Sequence, residues 1–249
     1  MAMGALGGIG PAAKDAVPLL IAQFGAAKND FERFSIPYVL GMIGPVTPDV
    51  MPTMLAALKD PGMNTRNFAA QGLGNMHAIE AVPALIAVLK NPQEQTIVRN
   101  SAAQALGKLG ASKEAVAPLA VAARDQKSDW ESRGAAMAAL VQVDADATTA
   151  LAVLQENLTD PDALVLISTD DAIATLGEKA QPAVAAIGKM LTANRDKGEG
   201  FTTARLQAVH ALGKIGASDE VIKVLESATS DPDAMVARVA KETLRKLRK

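Results

Sequence analysis

Apolar residues recur along this chain at helical spacing, in two alternating stripes. One stripe is anchored on the leucine of a repeated Ala-Leu-Gly step. Around Leu106 it comprises Val98, Ala102, Leu106 and Leu109, which share one helical face. The other has apolar residues at i, i+3, i+4 and i+7. Val17, Leu20, Ile21 and Phe24 fit it, as do Met51, Met54, Leu55 and Leu58, then Val82, Leu85, Ile86 and Leu89, then Val221, Val224, Leu225 and Ala228. Gly10, Gly44, Gly110 and Gly216 follow anchor stripes, where a left-handed residue ends a helix. Prolines 18, 52, 83, 118 and 182 fall near the starts of the second set, where a missing N–H is tolerated. No stretch sustains period-2 alternation, so the pattern predicts an all-α protein.

The anchor leucine falls at Leu6, Leu40, Leu73, Leu106, Leu140, Leu176, Leu212 and Leu244, at intervals of 32 to 36 residues. One unit of about 34 residues, a helix pair, therefore runs through residues 1–249 in about seven copies. No linker interrupts it, which predicts a single domain. "ALGKLGAS" at 105–112 and "ALGKIGAS" at 211–218 are this unit's architectural residues written twice. A lone helix pair cannot bury its own stripes, so the pairs must stack into a solenoid.

Composition narrows the chemistry. There is no cysteine, which removes disulfides, thiolate metal sites and cysteine nucleophiles. Lys and Arg number 25 against 27 Asp and Glu, so no general positive field collects nucleic acid. Aromatics are 3% of residues, which requires an aliphatic, alanine-rich core. No uninterrupted apolar run of about 18 residues suggests a membrane span, and the N-terminal segment lacks the pattern of a signal peptide. The compartment is left open between cytoplasm and periplasm, and the oligomeric state is equally open.

The segments "TRNFAAQGLGNMHAIEAVPALIAVLKNP" and "VRNSAAQALGKLGASKEAVAPLAVAARD" resemble HEAT repeats, specifically the bacterial phycobilisome-lyase-like type. The resemblance spans essentially the whole chain and implies a right-handed α–α superhelix, armadillo-like in architecture. An arginine stands seven residues before the anchor at Arg33, Arg66, Arg99, Arg133 and Arg205, with Thr169 and Ala237 in that slot in the last two departures. The resemblance implies that this arginine pairs with an acid or amide of the preceding turn, for which Asp60, Asn91 and Asp125 are available. Met1 lies five residues before an anchor leucine, so the expectation is an eroded first repeat or the C-terminal part of a longer protein. The basic end, with Lys241, Arg245, Lys246, Arg248 and Lys249, suits a solvated capping helix.

At 100° per residue, positions −6, −2 and +2 from the anchor face away from the core. The resemblance implies that these positions line the concave surface. They hold Phe34, Tyr38 and Met42, then Asn67, Gln71 and Asn75, then Asn100, Gln104 and Lys108. Beyond a bare fifth copy with only Gln142, the sixth is acidic (Asp170, Glu178) and the seventh offers Leu206, His210 and Lys214. Aromatic anchors beside a row of primary amides suit an extended protein or peptide segment, since amides both donate and accept. The competing reading is that the amides are merely solvated and that Phe34 packs sideways between repeats.

Catalytic constellations are sparse. HEAT-like deoxyhypusine hydroxylase holds iron through His-Glu pairs, whereas His77 and His210 are each followed by alanine. His77 occupies a helix-ending slot, where His tolerates positive φ. HEAT-like DNA glycosylases use a basic, tryptophan-bearing face; the single Trp130 is read instead as a helix-start packing staple beside its counterparts Phe31 and Ile97. The polar stretch 192–203 is read as a neutral insertion. The expectation is a non-catalytic protein-interaction scaffold without metal or cofactor, with a bilin lyase-like enzyme or a structural spacer as alternatives.

Overall fold

The computed structural model describes residues 2–45, 47–110 and 113–248, with side chains from residue 5 onward. Among these residues it is all-helical: fifteen α-helices, three 3-10 segments and no strand. Residues 1–122 and 123–249 form two compact units.

In the first unit the anchor stripes form α1 (Ala2–Ile9), α3 (Asp30–Ile43), α5 (Met63–Asn75) and α7 (Thr96–Leu109). The second stripes form α2 (Val17–Ala26), α4 (Val50–Ala57) and α6 (Val82–Lys90), and α8 (Lys113–Arg124) reaches the unit's end. Each anchor helix packs on the next, and α2, α4 and α6 each pack on the anchor helix that follows. The second unit repeats this plan. Its anchor helices are α9 (Trp130–Val143), α11 (Ala163–Leu176), α13 (Glu199–Ile215) and α15 (Ala234–Leu247). Between them lie α10 (Thr148–Asn157), α12 (Val184–Ala193) and α14 (Asp219–Ala228).

The anchor helices are buried over a wider arc than the leucine stripe. In α7, Ser101, Ala103, Ala105 and Gly107 are buried together with Val98, Ala102, Leu106 and Leu109. They flank the leucine and meet neighbouring anchor helices, so those positions must be small. The closest approach is at Gly41 of α3 and Gly72 of α5, where a Cβ on Gly41 would lie 2.4 Å from the Gly72 Cα. Alanine at 41 gains helix propensity but forces two backbones apart. Gly41→Ala is therefore expected to lower stability by about 1–3 kcal/mol, the usual cost of overpacking, as measured by urea unfolding.

The intervening helices bury a narrower face than predicted. Val17, Leu20 and Phe24 are buried, as are Val82, Leu85 and Leu89, while the i+4 residues Ile21, Leu55 and Ile86 and the i+3 residue Val224 are half-exposed. Such a helix contacts the core along one side only. Helix ends follow the glycine pattern, with positive φ at Gly10, Gly44, Gly110 and Gly216, and His77 takes the same role at φ 50°. Residues Ala5–Ala26 have the length and composition of a membrane span, with a mean hydropathy of 1.2. Their helical course is interrupted by Gly10 at φ 64° and a 3-10 segment, Gly10–Ala16, carrying Lys14 and Asp15.

The sixth copy is registered differently from the sequence reading. Ile173 is fully buried in the anchor position, and Leu176 is half-exposed. Gly177, four residues after Ile173, has the helix-ending positive φ of 55°. The arginine slot thus belongs to Leu166, while Thr169 replaces the buried alanine of other copies and bonds the Val165 carbonyl. The spacing becomes 33 residues before Ile173 and 39 after it, which places the whole insertion between α12 and α13.

The arginine partners also differ. Arg33 donates to Asp60 at 2.6 Å, 27 residues onward. Arg66 takes Glu94 in a bidentate pair and donates to the carbonyls of Asp60 and Pro61. Asn91 accepts the Gln93 N–H in its own turn. In the second unit Arg133 joins the Ala123 carbonyl to Asp160, and Arg205 joins the Asn194 carbonyl to Asp231. Arg66, Arg133 and Arg205 each hold the turn before their helix by a carbonyl and the following turn by a carboxylate. Asp60, Asp160 and Asp231 each also accept an N–H two residues on, which fixes the Asp-Pro turn that presents them.

Candidate partner-binding face

In the first unit the outward positions of α3, α5 and α7 come together on the anchor-helix side. Phe34 stacks on Phe68 of α5, with ring centroids 5.5 Å apart, and meets Phe31 edge-on at 5.4 Å. Tyr38 meets Phe68 edge-on at 5.4 Å. Phe34 does pack sideways between repeats, and four rings form one cluster. Phe31 is 65% exposed, Tyr38 44% and Met42 40%, so the cluster is open rather than enclosed. Met42 lies over Gly7, where a Cβ would be 3.1 Å from its sulfur. Phe31 and Phe68 were not among the outward positions read from the sequence. Their signal was present: Phe31 lies one helical turn before Phe34, and Phe68 lies one repeat after it.

The amide row is less free than the helical wheel implies. Asn67 is buried: its carbonyl oxygen accepts from the Ser101 hydroxyl at 2.6 Å and from the Gln71 amide at 3.3 Å. Gln71 also donates to Ser101 at 3.2 Å. The −6 position of α5 turns toward Ser101 on α7, so these amides join two repeats before they could meet a ligand. Asn75 accepts from Lys108 at 2.8 Å in a second link between the same helices. Asn100 is half-exposed, and Gln104, Asn75 and Lys108 are exposed.

A third component lies at the N-terminal ends of the anchor helices, where Phe31, Met63 and Ile97 are all exposed. Trp130, Leu164 and Met235 occupy related places in the second unit. Trp130 leaves 39% of its surface exposed, so it does not close a buried staple. It follows the Asp129 cap directly and projects at the end of the helix.

The outward positions of the second unit carry no aromatic cluster. His210 Nδ1 is 3.2 Å from Gln207 Oε1, and the Gln207 amide donates to Asp171 at 3.3 Å. Asp171 occupies the outward slot of α11. Asp170, which the sequence reading placed outward, has no exposed surface, as the three-residue shift in register requires. Burial raises the Asp171 carboxyl above the usual carboxylate range. Gln142 and Lys214 are exposed. Among the described residues no group of His, Asp and Glu is arranged to hold a metal ion.

The HEAT repeats family matches residues 37–107, and the PBS lyase HEAT-like repeat family matches residues 98–125. No curated protein matches the chain in sequence. Among solved structures, the chain is similar to one from the complex of CpcE and CpcF of phycocyanin lyase from Nostoc sp. PCC7120. The identity there is 21% and the TM-score 0.51, over 93% of this chain and 94% of that one. A designed armadillo repeat protein is 20% identical with a TM-score of 0.50, over 79% of this chain and 99% of that one. Human deoxyhypusine hydroxylase in complex with glycerol is 20% identical with a TM-score of 0.46, over 96% and 99%. At these identities the likeness concerns the fold, which other chains combine with unrelated activities. Helix pairs in succession and a cross-repeat arginine ladder agree with both family matches: residues 37–125 of this chain carry HEAT repeats, of the PBS lyase HEAT-like type at 98–125.

Proposed function

We propose that the chain is a non-catalytic interaction module that takes a protein segment on the anchor-helix face of residues 1–122. The observation that carries this reading is the open ring cluster of Phe31, Phe34, Tyr38 and Phe68, continued by Met42, Met63 and Ile97. A chain with so few aromatics concentrates four of them at one surface, and exposed apolar clusters of this kind mark interaction sites. Exposed aromatics supply large contact area at low entropic cost. Gln104, Asn100 and Lys108 adjoin them as polar groups able to meet a peptide backbone, while Asn67 and Gln71 hold the surface rigid. The near-neutral charge balance favours a protein over nucleic acid.

The test replaces the exposed rings, which do not hold the fold. A photocrosslinking residue at Tyr38 in the native cell identifies the bound segment. Capture of that segment by Phe31→Ala/Tyr38→Ala is expected to fall at least tenfold at unchanged helicity, since hot-spot aromatics are worth about 2 kcal/mol or more each. Undiminished capture would refute the assignment. A purified chain that bound a bilin and altered its absorbance would overturn the non-catalytic reading.

A further inference from the structure

The second unit contains an arginine that lacks the carboxylate its counterpart has. Arg124, at the end of α8, reaches Glu156 of α10 in a bidentate pair at 2.6 and 2.9 Å. Arg195, just after α12, is the same position two repeats later. Each arginine follows directly the residue whose carbonyl accepts from an anchor-helix arginine: Ala123 for Arg133, Asn194 for Arg205. Glu156 and Ser227 are equivalent in turn, each standing four residues before the aspartate of that ladder, Asp160 or Asp231. Arg195 therefore donates to the Ser227 carbonyl at 3.0 Å and hydroxyl at 3.2 Å, and its Nε is buried without a hydrogen-bond partner.

A cleft of about 570 Å³ opens between α12 and α14 beside this guanidinium. Ala185, Gly188, Val224 and Ala228 give it an apolar wall, and Lys189 and Lys223 add positive charge. Its carboxylates are Glu220 and Asp231, and Asp231 is already engaged by Arg205. The cleft thus carries three cations against one uncommitted acid. Its volume suits a small molecule.

We propose that the α12–α14 cleft binds a small carboxylate with an apolar tail, its carboxylate standing beside Arg195 where that of Glu156 stands beside Arg124. The guanidinium supplies charge-assisted hydrogen bonds, and the tail covers the alanine and valine wall. This inference is independent of the partner-binding face of the first unit.

Octanoate is the probe, titrated into the full chain by isothermal calorimetry, with acetate and octan-1-ol as controls. Octanoate should bind saturably, acetate at least tenfold more weakly for want of a tail, and octan-1-ol at least tenfold more weakly for want of a charge. Ser227→Glu introduces the side chain that stands at this position two repeats earlier, so it should keep the fold, pair with Arg195 and weaken octanoate binding at least tenfold. Arg195→Gln should weaken it similarly, which gives a second measure should either variant unfold. Absence of saturable octanoate binding, equal binding of octan-1-ol, or undiminished binding by either folded variant would overturn the proposal.

Discussion

Arg205→Ala is expected to destabilise the second unit by about 3–5 kcal/mol, the cost of leaving one half of a buried ion pair without its partner. Both side chains of the Arg205–Asp231 pair are 1% exposed, and the guanidinium meets the carboxylate through two nitrogens at 3.0 and 3.2 Å. A third nitrogen donates to the Asn194 carbonyl at 2.6 Å. Removing the guanidinium therefore strands a buried carboxylate and a buried carbonyl together. Arg205→Met/Asp231→Asn should recover part of the loss, because it removes the stranded charge while Asn can still accept the Asp233 N–H. Arg124→Ala is the control: its pair with Glu156 is exposed on both sides, and such pairs are worth about 0–1 kcal/mol. Urea unfolding of the three variants checks the order. Equal losses for Arg205→Ala and Arg124→Ala would show that burial does not set the value of this ladder.

The ladder also shows what the sequence could and could not say. A periodic arginine is visible because the slot is fixed relative to the leucine. Its acid lies 26 to 28 residues downstream, across an intervening helix, in a turn whose nearer neighbour is the next arginine. Spacing alone favours the nearer acid; the actual pair follows from the direction in which the guanidinium leaves its helix. Periodicity likewise predicted the helix pairs and nearly every anchor, because burial of Leu and Ala dominates those positions. It failed at Ile173, where two apolar residues three apart, Ile173 and Leu176, both satisfy a helical stripe. The glycine that follows was the deciding signal, since Gly177 lies at the helix-ending offset from Ile173 and not from Leu176.

The candidate face was legible as a set of directions but not as a set of contacts. A helical wheel places Asn67 and Tyr38 equally outward, yet Asn67 is buried against Ser101 and Tyr38 is exposed. The difference arises because α5 and α7 approach closely: a Cβ on Gly74 would fall 2.8 Å from the Ala105 Cα. Small residues flanking the leucine draw neighbouring helices together and enclose polar groups that a lone helix would expose. Phe68 was missed for the same reason. It belongs to the face only because α3 and α5 are near enough for Phe34 and Tyr38 to reach it.

Asp170→Ala is expected to stabilise the protein at neutral pH by about 1–3 kcal/mol, the usual cost of a buried unsatisfied polar group. Asp170 has no exposed surface, and neither carboxyl oxygen has a hydrogen-bond partner. Ala70 and Ala103 stand at the same offset from their anchors in α5 and α7, both buried, so alanine fits this position. Burial first, and then the adjacent Asp171, raises the Asp170 carboxyl well above the usual carboxylate range. The folded chain consequently holds a proton that the unfolded chain has lost above about pH 4. Stability falls as pH rises from there toward the folded value, so the ionisation-linked part of the cost of Asp170 is present at neutral pH and vanishes in acid. Glu94 acts in the opposite sense. Burial alone would raise its carboxyl, but the hydrogen bond from Arg66, with the Gln95 N–H and the charges of Arg66 and Arg99, leaves it lowered. Its contribution is present above about pH 4.3 and is lost as pH falls through the folded value. Subtracting wild type from variant at each pH cancels Glu94 and isolates Asp170. The advantage of Asp170→Ala should therefore be largest near pH 7 and shrink below pH 4 to the remaining cost of an unpaired, protonated carboxyl, as read by urea unfolding across that range. An advantage independent of pH would show that side-chain volume, not the buried acid, sets the effect, and a loss at both ends would show that the carboxyl finds a partner in the folded chain.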